Sequence, residues 1–221
     1  MKKNVVITGA NRGIGLSLAK HYADLGWSVF ACCRKPSAEL SKPGIVTISG
    51  VDVADASTLS QITKALGQRD VDLVINNAGI LRNEPLGAID YKSVLSQFEV
   101  NALGPLRVSE VLMEHFSASA KLVMITSRMG SVEDNTSGGR YGYRMSKSAL
   151  NIASVSLAHD LRSKGVAVGI IHPGLVGTEM IGGVGDITPD QAAQRIADRI
   201  EALNLQNSGT FWHSNGELLP W

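Results

Sequence analysis

The stretch that decides the fold lies near the start of the chain, directly after a short apolar run. It reads Thr8-Gly9-Ala10-Asn11-Arg12-Gly13-Ile14-Gly15. Gly9 permits a tight turn, Gly13 lets the backbone approach a pyrophosphate, and Gly15 allows a helix to pack closely on a strand. Free backbone N–H groups at the start of that helix would face the anion. The loop predicts a dinucleotide site, although a glycine-rich turn that binds nothing would have the same spacing.

Short β-branched segments alternate with longer amphipathic segments along the whole chain, which predicts repeated strand–helix units. Several short segments are apolar on both faces, as expected of buried parallel strands. The pattern indicates an α/β fold, a single Rossmann-like doubly wound parallel sheet with helices on both faces, formed as one domain. The expected strands are 4–8, 27–33, 45–49, 71–76, 121–126, 166–171 and 210–213, and the expected helices are 13–25, 54–67, 93–116, 143–164 and 189–203.

Charge and composition exclude several classes of partner. The 221 residues include 21 basic and 20 acidic side chains, for a net charge of +1, with no basic block that would follow a nucleic acid or an anionic membrane. No segment has the apolar length of a membrane span or a signal peptide. Cys32 and Cys33 are adjacent and the five histidines have no ligand spacing, so neither disulfides nor a metal is expected. We expect a cytoplasmic protein with a small-molecule substrate.

The residues after the second expected strand bear on the choice of dinucleotide. A carboxylate there would bind the ribose hydroxyls of NAD, whereas cations would pair with the 2′-phosphate of NADP. The sequence has Arg34 and Lys35 at this place and no acid, and Arg12 adds a cation from the glycine loop. These charges favour NADP(H), unless they are only solvated surface side chains.

Tyr143 and Lys147 are four residues apart in an expected helix, so their side chains lie on one face. A phenol has a pKa of about 10 and exchanges protons poorly at neutral pH, but a nearby cation favours the phenolate. We expect Tyr143 to protonate an alkoxide as hydride arrives, and Lys147 to lower its pKa and bind the nicotinamide ribose. Ser127, at a strand end, would bind the substrate oxygen, with Ser131 as the alternative. Such Tyr and Lys pairs also occur by chance.

Taken in order, these motifs resemble those of the short-chain dehydrogenase/reductase family. The glycine loop matches the family pattern T-G-x-x-x-G-x-G. The other matching motifs are Val51-Asp52-Val53, Asn76-Asn77-Ala78-Gly79, the pair Tyr143 and Lys147, and Pro173-Gly174 followed by Thr178. Residues 127–131 and 216–221 are similar to the C-factor and sniffer-type carbonyl reductases within this family.

The resemblance implies roles for further residues. Asp52 would contact the adenine, unless it only caps a helix, and the backbone carbonyl of Asn101 would hold a water in a proton relay with the lysine, unless this Asn is paired locally. The expected catalytic residues are Asn101, Ser127, Tyr143 and Lys147. The expected cofactor-binding residues are Gly9, Asn11, Arg12, Gly13, Ile14, Gly15, Arg34, Lys35, Asp52, Val53, Asn77, Ala78, Gly79, Tyr143, Lys147, Pro173, Gly174, Val176 and Thr178.

The substrate side is expected to be broad and open. Only the short, glycine-containing segment 179–188 separates Thr178 from the next helix, which suits a movable lid better than a deep pocket. His172 could line the site, although a packed histidine is the alternative. The expected substrate-facing residues are Ile80, Arg128, Met129, Leu175 and Met180.

The resemblance implies reduction of ketones, aldehydes or quinones with NADPH. One alternative is a regulatory or signalling protein that only senses the dinucleotide, which the intact Ser127, Tyr143 and Lys147 disfavour. Sugar epimerase chemistry is disfavoured because it would need an added substrate domain. The family often pairs subunits through the helices that contain Asn101 and Tyr143, so a homodimer or a homotetramer remains open beside a monomer.

Overall fold

A computed structural model describes residues 2–221 of the chain. Its strands are β1 (Asn4–Thr8), β2 (Ser28–Cys33), β3 (Ile45–Ser49), β4 (Val71–Asn76), β5 (Phe116–Ile125), β6 (Ala167–His172) and β7 (Phe211–His213). Its α-helices are α1 (Gly13–Asp24), α2 (Ala56–Leu66), α3 (Tyr91–Phe98), α4 (Gly104–Val111), α5 (Tyr141–Asp160) and α6 (Pro189–Ala202). No helix within the described residues has the length and apolar character needed to cross a membrane.

All seven strands form one parallel sheet, in the order β3-β2-β1-β4-β5-β6-β7. From the centre of the sheet, the strands β1, β2 and β3 follow one another toward one edge, and β4, β5, β6 and β7 follow one another toward the other edge. The strand order therefore reverses between β1 and β4, and the crevice at their carboxyl ends is the position where such sheets bind ligands. The predicted α/β, doubly wound fold is confirmed.

Alternating residues of the strands serve two separate cores, which explains why the strands read as apolar on both faces. Ile7 of β1 is fully buried against the side of the sheet that α1 and α6 cover. Its neighbour Val6 is equally buried on the other side, together with Leu59 of α2, Val108 of α4 and Leu150 of α5. Both faces are therefore held by apolar burial, and the polar groups collect at the strand ends.

The prediction of a single helix over 93–116 is wrong. The structure has α3, then a π-helical turn over Glu99–Leu103, then α4 and a short 3-10 turn. Pro105 cannot donate a backbone hydrogen bond, and a Cβ on Gly104 would lie 2.8 Å from Val53, so this segment changes its helical geometry where it packs against the loop after β3. β5 begins at Phe116, earlier than expected, because Phe116 pairs with Val71 of β4.

Candidate active site

A cleft of about 640 Å³ opens at the point where the strand order reverses. Most of the residues predicted from the sequence to bind a dinucleotide line it. These are Gly9, Asn11, Arg12, Gly13, Ile14, Arg34, Lys35, Asp52, Val53, Asn77, Ala78, Gly79, Tyr143, Lys147, Pro173 and Thr178. Eight further residues line the cleft for which no binding role was predicted: Thr8, Cys32, Cys33, Val51, Val100, Ile125, Thr126 and Glu179.

The glycine loop has the geometry that its spacing predicts, with one difference. Gly9 has a φ of 65°, and a Cβ there would lie 2.9 Å from the Cα of Ala78. Gly15 does not line the cleft, and a Cβ on it would lie 2.3 Å from the carbonyl oxygen of Gly9 and 2.4 Å from Nδ2 of Asn77. Gly15 therefore lets α1 close onto the loop itself rather than onto a strand. Arg12 provides no side-chain cap for α1, so the first amides of this helix are available to an anion.

The segment after β4 binds the glycine loop to the sheet. The backbone N–H groups of Asn77 and Ala78 each donate to Oγ1 of Thr8 at 3.1 Å. The Asn77 side chain donates to the carbonyl oxygens of Thr8 at 3.0 Å and Gly9 at 3.2 Å. Thr8 is thus a structural part of the site, although its place before Gly9 in the motif was the only signal for it.

Two of the three cations expected to favour NADP have carboxylate partners at the rim of the cleft. Arg12 lies 2.5 Å from Oε2 of Glu179, and Arg34 lies 4.0 Å from Oδ2 of Asp52. Lys35 is in no ion pair within residues 2–221, and its carbonyl oxygen accepts a hydrogen bond from Asn11. A phosphate that bound here would have to compete with both acids for the guanidinium groups.

Tyr143 and Lys147 project from α5 into the same end of the cleft, and both are buried. Lys147 Nζ lies 5.8 Å from the centre of the Tyr143 ring and donates to the carbonyl oxygen of Ile125 at 2.9 Å. The hydroxyl of Ser127 is close enough to the Tyr143 phenol to lower its pKa. The structure thus brings together the three side chains that the motifs single out.

The pKa of Tyr143 differs from the expectation. Burial raises it, and this effect outweighs the Ser127 hydrogen bond and the positive charge of Arg140, which both lower it. Burial also lowers the pKa of Lys147 to about 8, which weakens its charge near neutral pH. The expected lowering of the phenol pKa by Lys147 is therefore not found, and Tyr143 is protonated at neutral pH.

Ser127 and Ser131 have different surroundings. Ser127 begins a 3-10 turn over Arg128–Gly130, accepts a hydrogen bond from the N–H of Met129 at 3.1 Å and contacts Tyr143. Ser131 is buried and accepts from the N–H of Asp134 at 3.0 Å. Ser131 therefore holds the turn, and the substrate-facing role of Ser127 stays a prediction.

Asn101 lies in the π-helical turn, and its side chain holds the loop after β4. Its Oδ1 accepts from the N–H of Ile80 and its Nδ2 donates to the Ile80 carbonyl oxygen, both at 2.8 Å. The same Nδ2 contacts Ser146 Oγ at 3.0 Å, and Ser146 donates to the carbonyl oxygen of Tyr143. The side chain is therefore paired with a distant loop rather than locally. The relay through its backbone carbonyl stays a prediction.

The remaining predicted site residues divide into two groups. Ile80 and Met180 line the cleft, whereas Leu175 does not and is half exposed. Gly174 and Val176 shape the turn after β6, since both approach Ile187. The predicted residues that do not line the cleft are Gly15, Asn101, Ser127, Arg128, Met129, Gly174, Leu175 and Val176.

His172 is packed rather than exposed to the cleft. Its ring lies edge-on to that of His213, with 4.9 Å between the ring centres. Burial, with smaller contributions from the charges of His213, Arg128 and Lys147, lowers the pKa of His172 to about 3. It is therefore neutral, as the packed alternative required. Within residues 2–221 no group of histidine, cysteine and acidic side chains could hold a metal ion.

The fold and the cleft define an oxidoreductase that uses a nicotinamide dinucleotide. Residues 3–187 match the family model described as short chain dehydrogenase, which includes the glycine loop and the pair Tyr143 and Lys147. The chain therefore belongs to the short-chain dehydrogenase/reductase family, and the family predicted from the motifs is confirmed.

Similar proteins include a 1-hydroxy-2-glutathionyl-2-methyl-3-butene dehydrogenase of Rhodococcus sp. (strain AD45), 38% identical over 98% of this chain and 99% of that protein. The C-signal of Myxococcus xanthus is 40% identical over 68% of this chain and 93% of its own. Among solved structures, the NADPH-bound carbonyl reductase from chicken fatty liver has a TM-score of 0.90 at 27% identity and covers 100% of this chain and 99% of its own. The carbonyl reductase Sniffer of D. melanogaster has a TM-score of 0.90 at 25% identity, with full coverage of both chains.

Proposed function

We propose that this chain reduces carbonyl compounds with NADPH and that Tyr143 is the proton donor. The observation that carries the proposal is that Tyr143 and Lys147 line a dinucleotide-sized cleft, with the Ser127 hydroxyl close enough to the phenol to lower its pKa. A carbonyl oxygen that contacts both hydroxyls is held where a proton can reach it as negative charge develops.

The raised pKa of Tyr143 suits the reductive direction. Tyr143 holds its proton at neutral pH because burial disfavours the phenolate, so the proton that a developing alkoxide needs is in place. Ser127 positions the substrate oxygen beside the phenol. Lys147, fixed by its hydrogen bond to Ile125, would contact the nicotinamide ribose. The bound dinucleotide would supply the hydride.

The residues of the cleft fit such a cofactor. The first amides of α1 have no side-chain cap, and the left-handed Gly9 lets the loop approach Ala78 without a side chain between them. Three cations, Arg12, Arg34 and Lys35, border the same end of the cleft. They support NADP(H) over NAD(H), and the similar chicken carbonyl reductase is described as NADPH-bound.

The test is a panel of aldehydes, ketones and quinones with NADPH or NADH, followed by the loss of absorbance of the reduced cofactor. We expect turnover with NADPH and a preference for it over NADH. Tyr143→Phe should abolish turnover while NADPH still binds, because the phenyl ring keeps the packing and lacks only the proton. Full activity of Tyr143→Phe, or equal use of both cofactors by the unaltered protein, would contradict the proposal.

A second candidate is oxidation of an alcohol group on a thioether conjugate. It is favoured by the 38% identity to the Rhodococcus dehydrogenase, whose name describes a glutathionyl alcohol as its substrate. In this direction Tyr143 would have to act as a base, which its raised pKa disfavours. The test is to compare the rate of oxidation of such an alcohol with NADP+ at neutral pH with the rates of carbonyl reduction. Faster oxidation would favour this candidate.

A regulatory role remains the alternative of a different class, since the similar Myxococcus protein is named C-signal. The same Tyr143→Phe variant separates the two functions. A biological effect that survives in this variant would support the sensing of a dinucleotide rather than turnover.

The exposed apolar side chains Leu95 of α3 and Ile152 of α5, both 66% exposed, support pairing of two copies through these helices. Sedimentation of the unaltered chain tests this. A dimer is expected, and Ile152→Glu should return it to a monomer.

A further inference from the structure

Arg140, the residue before α5, has a backbone conformation that side chains disfavour. Its φ is 50° and its ψ is 47°, and within residues 2–221 it is the one residue other than glycine with a positive φ. Gly138 and Gly139, directly before it, also have positive φ values of 63° and 64°. A non-glycine residue in this region is strained, and such strain collects at functional sites. A turn of the chain alone does not explain why an arginine, and not a third glycine, occupies this position.

The position of the Arg140 guanidinium gives a reason. Its Nη1 lies 3.7 Å from Sδ of Met129, and the N–H of Met129 donates to Ser127 Oγ. Arg140 also precedes Tyr143 by three residues, close enough for its charge to lower the phenol pKa. The guanidinium thus contacts the turn that follows Ser127, and its charge reaches the Tyr143 phenol.

Arg140 differs from the neighbouring arginines in having no strong acceptor. Arg128 is paired with Asp134 at 3.0 Å and Glu217 at 3.4 Å. Arg144 donates to the carbonyl oxygens of Gly138 and Gly139. Arg140 is exposed and, within residues 2–221, is in no ion pair. The one hydrogen-bonding contact of its side chain is to a thioether, a weak acceptor.

We propose that Arg140 binds a carboxylate group of the substrate while Ser127 and Tyr143 bind its carbonyl oxygen. A guanidinium presents two parallel N–H donors that match a carboxylate, and an arginine fixed by its backbone needs little further ordering to bind. This inference rests on the proposed carbonyl reduction and narrows its substrate class to carbonyl compounds that carry an acid group a short distance from the reacting carbon.

The test compares two aldehydes of similar size, 4-carboxybenzaldehyde and 4-methylbenzaldehyde, with NADPH. In the unaltered protein we expect the lower KM for the carboxylate. In Arg140→Gln the ratio of the two KM values should shift against the carboxylate by about tenfold, as expected for loss of a hydrogen-bonded charge pair. Arg162→Gln is the control, because Arg162 lies past the other end of α5 and its loss changes the net charge equally.

Two further variants separate this role from folding. Arg140→Gly should raise the melting temperature, since glycine adopts a positive φ without strain, and should still lose the preference for the carboxylate. Arg140→Lys should regain part of that preference. An unaltered KM ratio in both Arg140→Gln and Arg140→Gly would overturn the proposal, as would equal loss for both aldehydes.

A binding measurement separates failure of this inference from failure of the proposed reaction. Titration calorimetry with 4-carboxybenzyl alcohol and 4-methylbenzyl alcohol, in the presence of NADP+, does not need turnover. Weaker binding of the carboxylate by Arg140→Gln supports the subsite even if neither aldehyde is reduced. Equal binding by Arg140→Gln and the unaltered protein overturns the subsite even if both aldehydes are reduced.

Discussion

Glu84 accepts a hydrogen bond from the backbone N–H of Gly142 at 3.3 Å, across 58 positions of sequence. Glu84 lies in the loop after β4, is 2% exposed, and also accepts from Ser93 at 2.7 Å and Gln97 at 2.6 Å. The residue before α5, Arg140, provides no side-chain cap. The first turn of the helix that carries Tyr143 is therefore capped by a buried carboxylate from a distant loop.

Replacing Glu84 tests how much this cap stabilises the protein. We expect Glu84→Ala to lower the free energy of unfolding by about 2 to 3 kcal/mol, because it leaves buried donors without a partner and removes a charge from a helix start. Glu84→Gln, which keeps an acceptor oxygen, should cost less. Urea denaturation measures both.

The matched control for this cap is Glu114→Gln, since Glu114 is exposed and forms only a surface ion pair with Lys164. Surface pairs contribute between about 0 and 1 kcal/mol. A loss in Glu84→Ala no larger than in Glu114→Gln would show that the cap contributes little.

Removing the carboxylate of Glu179 should tighten the binding of NADPH. Glu179 is paired with Arg12 at the rim of the cleft, where it would compete with a 2′-phosphate. Because both side chains are largely exposed, the effect in Glu179→Gln should be modest, about a two- to fivefold lower Kd. Fluorescence titration with NADPH and NADH measures it, and NADH should show little change.

Glu39→Gln is the control for this charge change, because Glu39 forms a similar pair with Lys20 and does not line the cleft. An equal change in the Kd of NADPH and NADH for Glu179→Gln would mean that the carboxylate acts on the loop and not on the phosphate.

The buried Lys147 makes stability depend on pH. Its pKa falls from 10.5 when unfolded to about 8 in the fold, so between these values the unfolded chain binds more protons than the native protein. The contribution of Lys147 to the free energy of unfolding therefore becomes more favourable as the pH increases from about 8 toward 10.5. Lys147→Met should be more stable than the unaltered protein at pH 7, and its advantage should shrink by about 3 kcal/mol across this window.

Comparing Lys147→Met with the unaltered protein at each pH cancels the other groups that titrate in this range. Lys92→Met, at an exposed position at the start of α3, is the control. A difference between Lys147→Met and the unaltered protein that stays constant with pH would rule out a lowered pKa for Lys147.

Asn101→Asp changes one atom of the pair with Ile80 and should be costly. The amide Nδ2, which donates to the Ile80 carbonyl and contacts Ser146, is replaced by an oxygen that repels that carbonyl. We expect a loss of about 2 to 4 kcal/mol in stability, or an aspartate that takes up a proton to restore the donor. Asn83→Asp, exposed in the same loop as Ile80, should be nearly neutral in chemical denaturation. Similar losses in the two variants would contradict this role for Asn101.

The sequence predicted the sheet well because its physics is local. Each strand is a short apolar run, and the glycine loop follows the first of them, so the fold class and the dinucleotide loop could be predicted before any contact was known. Tyr143 and Lys147 were recognisable for the same reason, since their spacing alone places them on one face of a helix.

The burial and the pKa of a side chain depend on how distant parts of the chain pack around it, so they could not be predicted in this way. Nothing in the sequence around Glu84 distinguishes it from an exposed glutamate, because its burial depends on α3 and α5 meeting over it. The pKa of Tyr143 was misjudged because burial, which the helix spacing does not reveal, outweighs the nearby charges. The break in the helix over 93–116 did have a local signal, the pair Gly104 and Pro105.

The π-helical turn over Glu99–Leu103 acts as a rotational adjustment between two helices. Each residue of a regular helix advances the direction of the side chains by about 100°. A π-helical turn spreads one rotation over about one more residue than a regular helix does, so its five residues advance about as far around the axis as four residues of α-helix. Val108 therefore packs against the sheet although one more residue precedes it. A one-residue deletion inside this turn that restores regular helix should be tolerated, whereas the same deletion within α4 before Val108 should turn Val108 away from the sheet.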